Sequence, residues 1–209
     1  MDLKKSLENF IEEISSSSPT PGGGSVSAFN GVLGTSLGLM VCNLTIGKKK
    51  YESVEAEVLE IKNRLQNFRE KFLELYDEDS KAFDKVMEAI KLPKESEEDK
   101  IKRTHAIEDA TVYATEVPIN VIQACSEVTN DLIRLSEIGN QNSLSDAGVA
   151  LILIKSSAEG AMLNVMINTK SLNDRDRAMN LVLSAAQKLT ELEAKIDEAL
   201  KNIKKKLEL

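Results

Sequence analysis

The feature that most constrains the fold of this chain is a stretch without charge between Glu13 and Lys48. It runs for thirty-four residues, although 29% of the whole chain is charged. Its second part, from about Ser25 to Thr45, predicts a helix that begins at a serine cap. The stretch is too rich in small and polar residues for a membrane span. We therefore expect a central helix that is wrapped by the rest of the protein.

Three consecutive glycines, Gly22, Gly23 and Gly24, precede this helix together with two prolines. Such a segment cannot be regular structure, because proline lacks a backbone donor and glycine opens conformations closed to other residues. The helix end keeps bare N–H groups, which favour anions and polar ligand groups. The glycine segment is thus a candidate ligand site, although a flexible linker before a core helix would have the same composition.

Composition excludes several classes of protein. The 209 residues suit one domain, 1–209, and the net charge of −7 with interspersed signs argues against a nucleic-acid surface. With one histidine and no paired cysteines, the chain predicts no metal site. Cys42 and Cys125 lie in apolar helical surroundings and are expected to be reduced core residues. The N-terminus is not a signal peptide, so we expect a cytoplasmic protein without membrane contact.

The periodicity is helical throughout and predicts an all-α, single-domain bundle of about six helices. Two of these are rich in small residues and are expected to be buried, and several are very long. After the first helix and the glycine loop, the predicted helices run over about 25–45, 51–90, 97–138 with a bend near Pro118, 146–168 and 174–207.

A single carboxylate interrupts the apolar stripe of the third helix. Apolar residues recur there at alternating steps of four and three, a pattern typical of bundles and coiled coils. Asp79 occupies one of these positions, and burial would raise its pKa into the range useful for acid–base catalysis. A polar residue that sets helix register or pairs with a lysine would show the same spacing. The stripe, here called the seam, consists of Val54, Val58, Ile61, Leu65, Phe68, Phe72, Leu75, Asp79, Ala82, Val86 and Ala89.

Other candidate residues have strong structural explanations. Asp146 stands at the start of the fifth helix, where an acid usually caps the helix and complements its dipole. Asn140 lies in a predicted loop, where an asparagine needs no functional explanation. Asn164 and Asn168 lie one turn apart in an apolar helix, where buried amides need partners. Lys48 begins a lysine cluster that is either a solvated helix start or an anion contact.

Taken together, five segments resemble the cyclodeaminase/cyclohydrolase family of folate enzymes, over nearly the whole chain. They are TPGGGSVSA, LTIGKKKY, DEDSKAFDKV, GNQNSLSDAGVA and GAMLNVMIN, in this order. The resemblance implies an all-helical homodimer that acts on one-carbon tetrahydrofolates, including the formimino compound of histidine degradation, without a metal or redox cofactor. No segment resembles a formiminotransferase.

The resemblance also implies roles for particular residues. Asp79 corresponds to an aspartate on the family's central helix and is our candidate general acid/base, since Asp77 and Asp84 point away from the seam. Asp146, in the SD motif, is expected to stabilise a cation or to cap the helix that lines the site. The expected substrate-binding residues are Gly22, Gly23, Gly24, Ser25, Lys48, Tyr51, Asn140, Ser145, Asn164 and Asn168, with Lys48 and Tyr51 also suited to intersubunit contacts.

Two reactions fit this resemblance. In cyclodeamination, N10 attacks the formimino carbon on N5 and ammonia leaves, which gives 5,10-methenyltetrahydrofolate. In cyclohydrolysis, water opens the methenyl ring to 10-formyltetrahydrofolate. The sequence favours cyclodeamination by a narrow margin, and a non-catalytic helical dimerisation protein is the alternative from another class.

Overall fold

The computed structural model describes residues 7–208 and confirms the predicted all-α bundle of six helices. In the described residues every regular element is helical. Two short 3₁₀ helices, Lys49–Val54 and Gln141–Ser143, connect α2 to α3 and α4 to α5. The six α-helices are α1 (Leu7–Ser15), α2 (Gly23–Thr45), α3 (Glu55–Ile90), α4 (Glu97–Ile138), α5 (Leu144–Thr169) and α6 (Arg175–Leu207).

Helix α2 lies at the centre and packs against α3, α4 and α5. Its glycines allow this close approach, since a Cβ atom at Gly31 would lie 2.6 Å from Cγ of Phe72 on α3. A Cβ at Gly38 would lie 2.5 Å from Leu132 on α4 and 2.9 Å from Leu65 on α3. The small residues of α2 thus serve packing within one chain, because real Cβ contacts are essentially never so short.

The seam of α3 faces this core as its spacing predicts. Val58, Ile61, Leu65 and Phe72 are at most 1% exposed. Helix α1 covers one end of the core, where Phe10 packs against Phe29 with ring centroids 4.8 Å apart. The apolar stripe that the sequence predicts for the first helix starts at Leu3, and this residue lies outside the described residues.

Three predicted helix starts differ from the structure. Helix α2 begins at Gly23 with Gly22 as its N-cap, because the Ser25 side chain bonds to Asp79 and does not cap the helix. Tyr51 belongs to a 3₁₀ helix, so α3 begins at Glu55. Asp146 lies in the first turn of α5, which begins at Leu144 without a side-chain cap, so Asp146 does not cap it. Helix α4 continues through Pro118.

Two segments of the described chain are long and apolar enough to cross a membrane by length and composition alone, Gly23–Thr45 and Gln141–Thr169. In the first, 61% of the most apolar window is buried inside the protein, and in the second 44%. Packing against neighbouring helices accounts for the apolar composition of α2. Helix α5 keeps a substantial apolar side at the surface.

Candidate active site

The antiparallel packing of α2 and α5 brings several predicted site residues into one pocket. The N-terminus of α2 meets the C-terminal half of α5, and the C-terminal part of α3 and the N-terminal half of α4 close the other sides. The resulting cavity has a volume of about 300 Å³. Its lining includes six of the predicted residues, Gly22, Gly23, Gly24, Asp79, Asn164 and Asn168.

Asp79 is the carboxylate of this pocket. The Ser25 hydroxyl donates a hydrogen bond of 2.8 Å to its Oδ2. Burial raises the pKa of Asp79, and the hydrogen bonds from the Ser25 hydroxyl and backbone lower it by less. No ion pair to Asp79 is formed among residues 7–208. Asp79 is therefore a desolvated carboxyl group that can hold a proton at a higher pH than an exposed aspartate.

The carboxyl group of Asp79 lies against the N-terminus of α2. A Cβ at Gly24 would lie 2.6 Å from Cγ of Asp79, so only glycine allows this approach. At Gly23, a Cβ would lie 3.6 Å from Asn164, which is an ordinary contact. The three glycines are thus not equivalent. Gly24 permits Asp79 to sit against the helix end, where the dipole of α2 favours its negative form.

Asn164 and Asn168 present unpaired carbonyl groups in this pocket. The Asn164 amide donates to the backbone oxygen of Gly160 at 2.9 Å, and the Asn168 amide donates to that of Ala114 at 2.9 Å. Their Oδ1 atoms accept no hydrogen bond from the described residues. With the amides assigned in this orientation, each side chain is fixed by the protein and keeps one acceptor for a ligand.

An apolar wall extends the pocket away from Asp79, and sequence reasoning did not assign it to the site. On α3 it consists of Phe83, Val86 and Ile90, which follow Asp79 at helical spacing. Helix α4 contributes the opposing residues Ile107, Thr111 and Ala114. The signal in the sequence is the continuation of apolar residues beyond Asp79 on the same side of α3, a pattern that core packing alone would also produce.

The remaining predicted residues lie at the other end of α2. Tyr51 and Asn140 are buried there, and the Tyr51 hydroxyl donates to Oδ1 of Asn140 at 3.4 Å. The Asn140 amide also donates to the backbone oxygen of Leu44 at 2.9 Å. Both side chains therefore connect the end of α2 to the loop before α5. The three other members of this group are Lys48 and Ser145, which are exposed, and Asp146, which is half-buried.

These two groups are separated by the length of α2. Its 23 residues span about 34 Å at the rise of an α-helix. One chain therefore does not bring Lys48, Tyr51, Asn140, Ser145 and Asp146 to the Asp79 pocket.

Neither cysteine takes part in the pocket. Cys42 and Cys125 are fully buried and free, as the sequence predicts. Burial raises the pKa of each thiol to about 12. Within residues 7–208, no group of three or more His, Cys, Asp or Glu side chains is arranged to hold a metal ion.

Comparison with known proteins places this pocket in a family context. Residues 6–204 match the family model described as formiminotransferase-cyclodeaminase. The chain is 40% identical to a methenyltetrahydrofolate cyclohydrolase from Methylorubrum extorquens, over 93% of this chain and 90% of that protein. It is 33% identical to the formimidoyltransferase-cyclodeaminase of Mus musculus over 82% of this chain, which spans only 32% of that protein.

A solved structure agrees with both the fold and the sequence similarity. The formiminotetrahydrofolate cyclodeaminase of Thermotoga maritima superposes with a TM-score of 0.81. The match has 30% identity and covers 96% of this chain and 98% of that one. The similarity to enzymes of the same length therefore extends over the whole bundle.

Proposed function

Because the chain belongs to the formiminotransferase-cyclodeaminase family of folate one-carbon enzymes, we propose that its Asp79 pocket catalyses cyclodeamination of 5-formiminotetrahydrofolate. N10 attacks the formimino carbon, its proton passes to the imino nitrogen, and a tetrahedral centre forms. A further proton converts the amino group into ammonia, the C–N bond breaks, and the methenyl cation remains.

The observation that carries this proposal is the raised pKa of Asp79 in a pocket without a cationic partner among the described residues. Burial favours the protonated form of this carboxyl group, and in that form it donates its proton to the departing amine. The resulting carboxylate then lies beside the positive methenyl product, which it stabilises electrostatically. One side chain thus serves both parts of the step.

The other pocket residues suit the flat, polar pterin of such a substrate. The Oδ1 atoms of Asn164 and Asn168 are acceptors for its ring N–H and amino groups. Gly22 and Gly23 leave room for a ring at the pocket floor. We propose that no cofactor takes part, because the reacting carbon is neither oxidised nor reduced during ring closure.

Cyclohydrolysis is the second candidate, favoured by the 40% identity to a cyclohydrolase of nearly the same length. Here Asp79 would act in its charged form and take a proton from the attacking water. The two reactions therefore require opposite protonation states of the same residue.

Assays of the purified protein with each substrate separately distinguish cyclodeamination from cyclohydrolysis. We expect 5-formiminotetrahydrofolate to give methenyl absorbance and one equivalent of ammonia, in an enzyme-dependent reaction. Enzyme-dependent loss of the absorbance of added methenyltetrahydrofolate, with no ammonia from the formimino compound, would establish the cyclohydrolase instead. The non-catalytic dimerisation protein is not supported, since the relatives are enzymes.

We further propose that the chain acts as a cytoplasmic homodimer, joined through the surface sides of α2 and α5. Those sides carry large apolar residues exposed to solvent, and contiguous patches of this kind mark interfaces. The glycine stripe of α2 is not part of this surface, because it is covered by α3, α4 and α5. The exposed residues are Leu33, Met40, Leu44, Val149, Ile152, Leu163, Met166 and Ile167.

Such a dimer also gives a reason for the two separate groups of predicted residues. If the twofold axis runs across α2, the helix of one copy is antiparallel to that of the other. The end with Lys48 and Asp146 then lies beside the Asp79 pocket of the second copy. Sedimentation at micromolar concentration tests the dimer, and a monomer of 23.0 kDa would contradict it.

A further inference from the structure

The pocket continues as an apolar groove between α3 and α4. Asp79, Phe83, Val86 and Ile90 line it at successive turns of α3. From Asp79 to Ile90 the helix rises by about 16 Å. The groove therefore has a carboxyl group at its inner end and an apolar middle, and it ends where α3 ends.

A guanidinium group stands at the outer end of this groove. Nε of Arg103 donates 3.0 Å to the backbone oxygen of Ile90, the last groove residue of α3. Arg103 also precedes Ile107, a groove residue of α4, by one helical turn and so lies on the same side of that helix. The side chain is held at the point where both walls of the groove terminate.

The terminal nitrogens of Arg103 have no partner among the described residues, since its only side-chain hydrogen bond there uses Nε. Asp99, the acid one turn earlier on α4, is engaged with Ser96 in the cap of that helix, at 2.6 Å between its Oδ2 and Oγ. Arginine normally presents its planar donors to a carboxylate in two parallel hydrogen bonds. Here that capacity is unused, on a residue that is half-buried at the end of an apolar groove.

We propose that Arg103 binds the glutamate carboxylate of the folate substrate and thereby fixes its direction in the groove. This inference rests on the proposed function. A tetrahydrofolate carries its reacting N5–N10 region at one end of a flat benzoyl group and an anionic glutamate at the other. With the reacting carbon at Asp79, the benzoyl ring contacts Phe83 and Val86, and the glutamate reaches Arg103.

The test compares 5-formyltetrahydrofolate with 5-formyltetrahydropteroate, which lacks the glutamate, in equilibrium binding to the full-length protein. We expect the wild type to bind the folate at least about tenfold more tightly than the pteroate. In Arg103→Gln that preference should fall to within about twofold, through loss of folate affinity alone, and Arg103→Lys should lie between. Arg69→Gln, at a half-buried arginine that pairs with Glu70, is the matched control.

Equal weakening of both ligands in Arg103→Gln, or an unchanged preference, would overturn the inference. Circular dichroism melting of each variant shows whether a loss of binding results from misfolding. If the Gln variant does not fold, the binding test uses the Lys variant, which keeps the charge. Because the assay measures binding alone, its result does not depend on turnover. A wild type that binds the folate through Arg103 but converts neither substrate would contradict the proposed reaction and leave this inference in place.

Discussion

At the scale of single residues, the contact between Asp79 and the first turn of α2 is the central feature of the candidate site. The sequence identified Asp79 correctly as the carboxylate of the seam, because its register follows from spacing alone. Its partner was not predictable. Ser25 lies far away in the chain, and only the folded structure reveals that its hydroxyl serves Asp79 and does not cap the helix.

Asp79→Asn should keep the fold and lose at least about a hundredfold in turnover, since it removes the proton donor. Burial raises the pKa of Asp79, so protonation stabilises the folded state. Relative to the Asn variant, the wild type is therefore most stable below about pH 3.9, the pKa of an ordinary aspartate. It loses this relative stability as the pH rises through the raised pKa of Asp79. Denaturant unfolding of both proteins at acid and neutral pH measures this. If the variant turned over within a few-fold of the wild-type rate, a group other than Asp79 would be the proton donor.

Gly24→Ala should be more damaging than Gly23→Ala. The added methyl group would overlap the Asp79 carboxyl group at Gly24, whereas at Gly23 it meets Asn164 at an ordinary distance. Overpacking of this kind costs about 1–3 kcal/mol. Thermal unfolding of the two variants tests the difference, and similar melting temperatures would show that Asp79 moves aside without cost.

At the scale of elements, the glycines of α2 and α5 differ in what surrounds them. A Cβ at Gly148 on α5 would lie 3.5 Å from Ile203 of α6, in ordinary contact. Composition alone could not separate Gly148 from the tightly packed Gly31, because the distinction depends on which neighbour covers each position.

Gly148→Ala should therefore stabilise the protein by about 0.5–1 kcal/mol, the helix-propensity gain of alanine over glycine. Gly31→Ala should destabilise it, since its methyl group would overlap the Phe72 ring. Urea unfolding gives both values. A destabilised Gly148 variant would mean that α6 packs more tightly on α5 than the structure shows.

At the scale of the whole molecule, one chain leaves the outer sides of α2 and α5 uncovered. Leu163→Glu places a charge where α5 is 67% exposed in the single chain. We expect this variant to be monomeric in sedimentation and to lose turnover, whereas Met179→Glu, on α6 and also well exposed at 58%, should remain dimeric. A dimeric Leu163→Glu variant with normal turnover would place the interface elsewhere.

The antiparallel arrangement of α2 and α5 also has a consequence for synthesis. The pocket needs the glycine segment, the C-terminal part of α3 and the last turns of α5, so it joins parts of the chain made early and late. A nascent chain can build α2 and α3 long before Asn164 and Asn168 emerge from the ribosome. Until then Asp79 has no completed pocket around it. The folate binding proposed for this pocket therefore requires a nearly finished chain, and a binding measurement would distinguish completely folded molecules from partly folded ones.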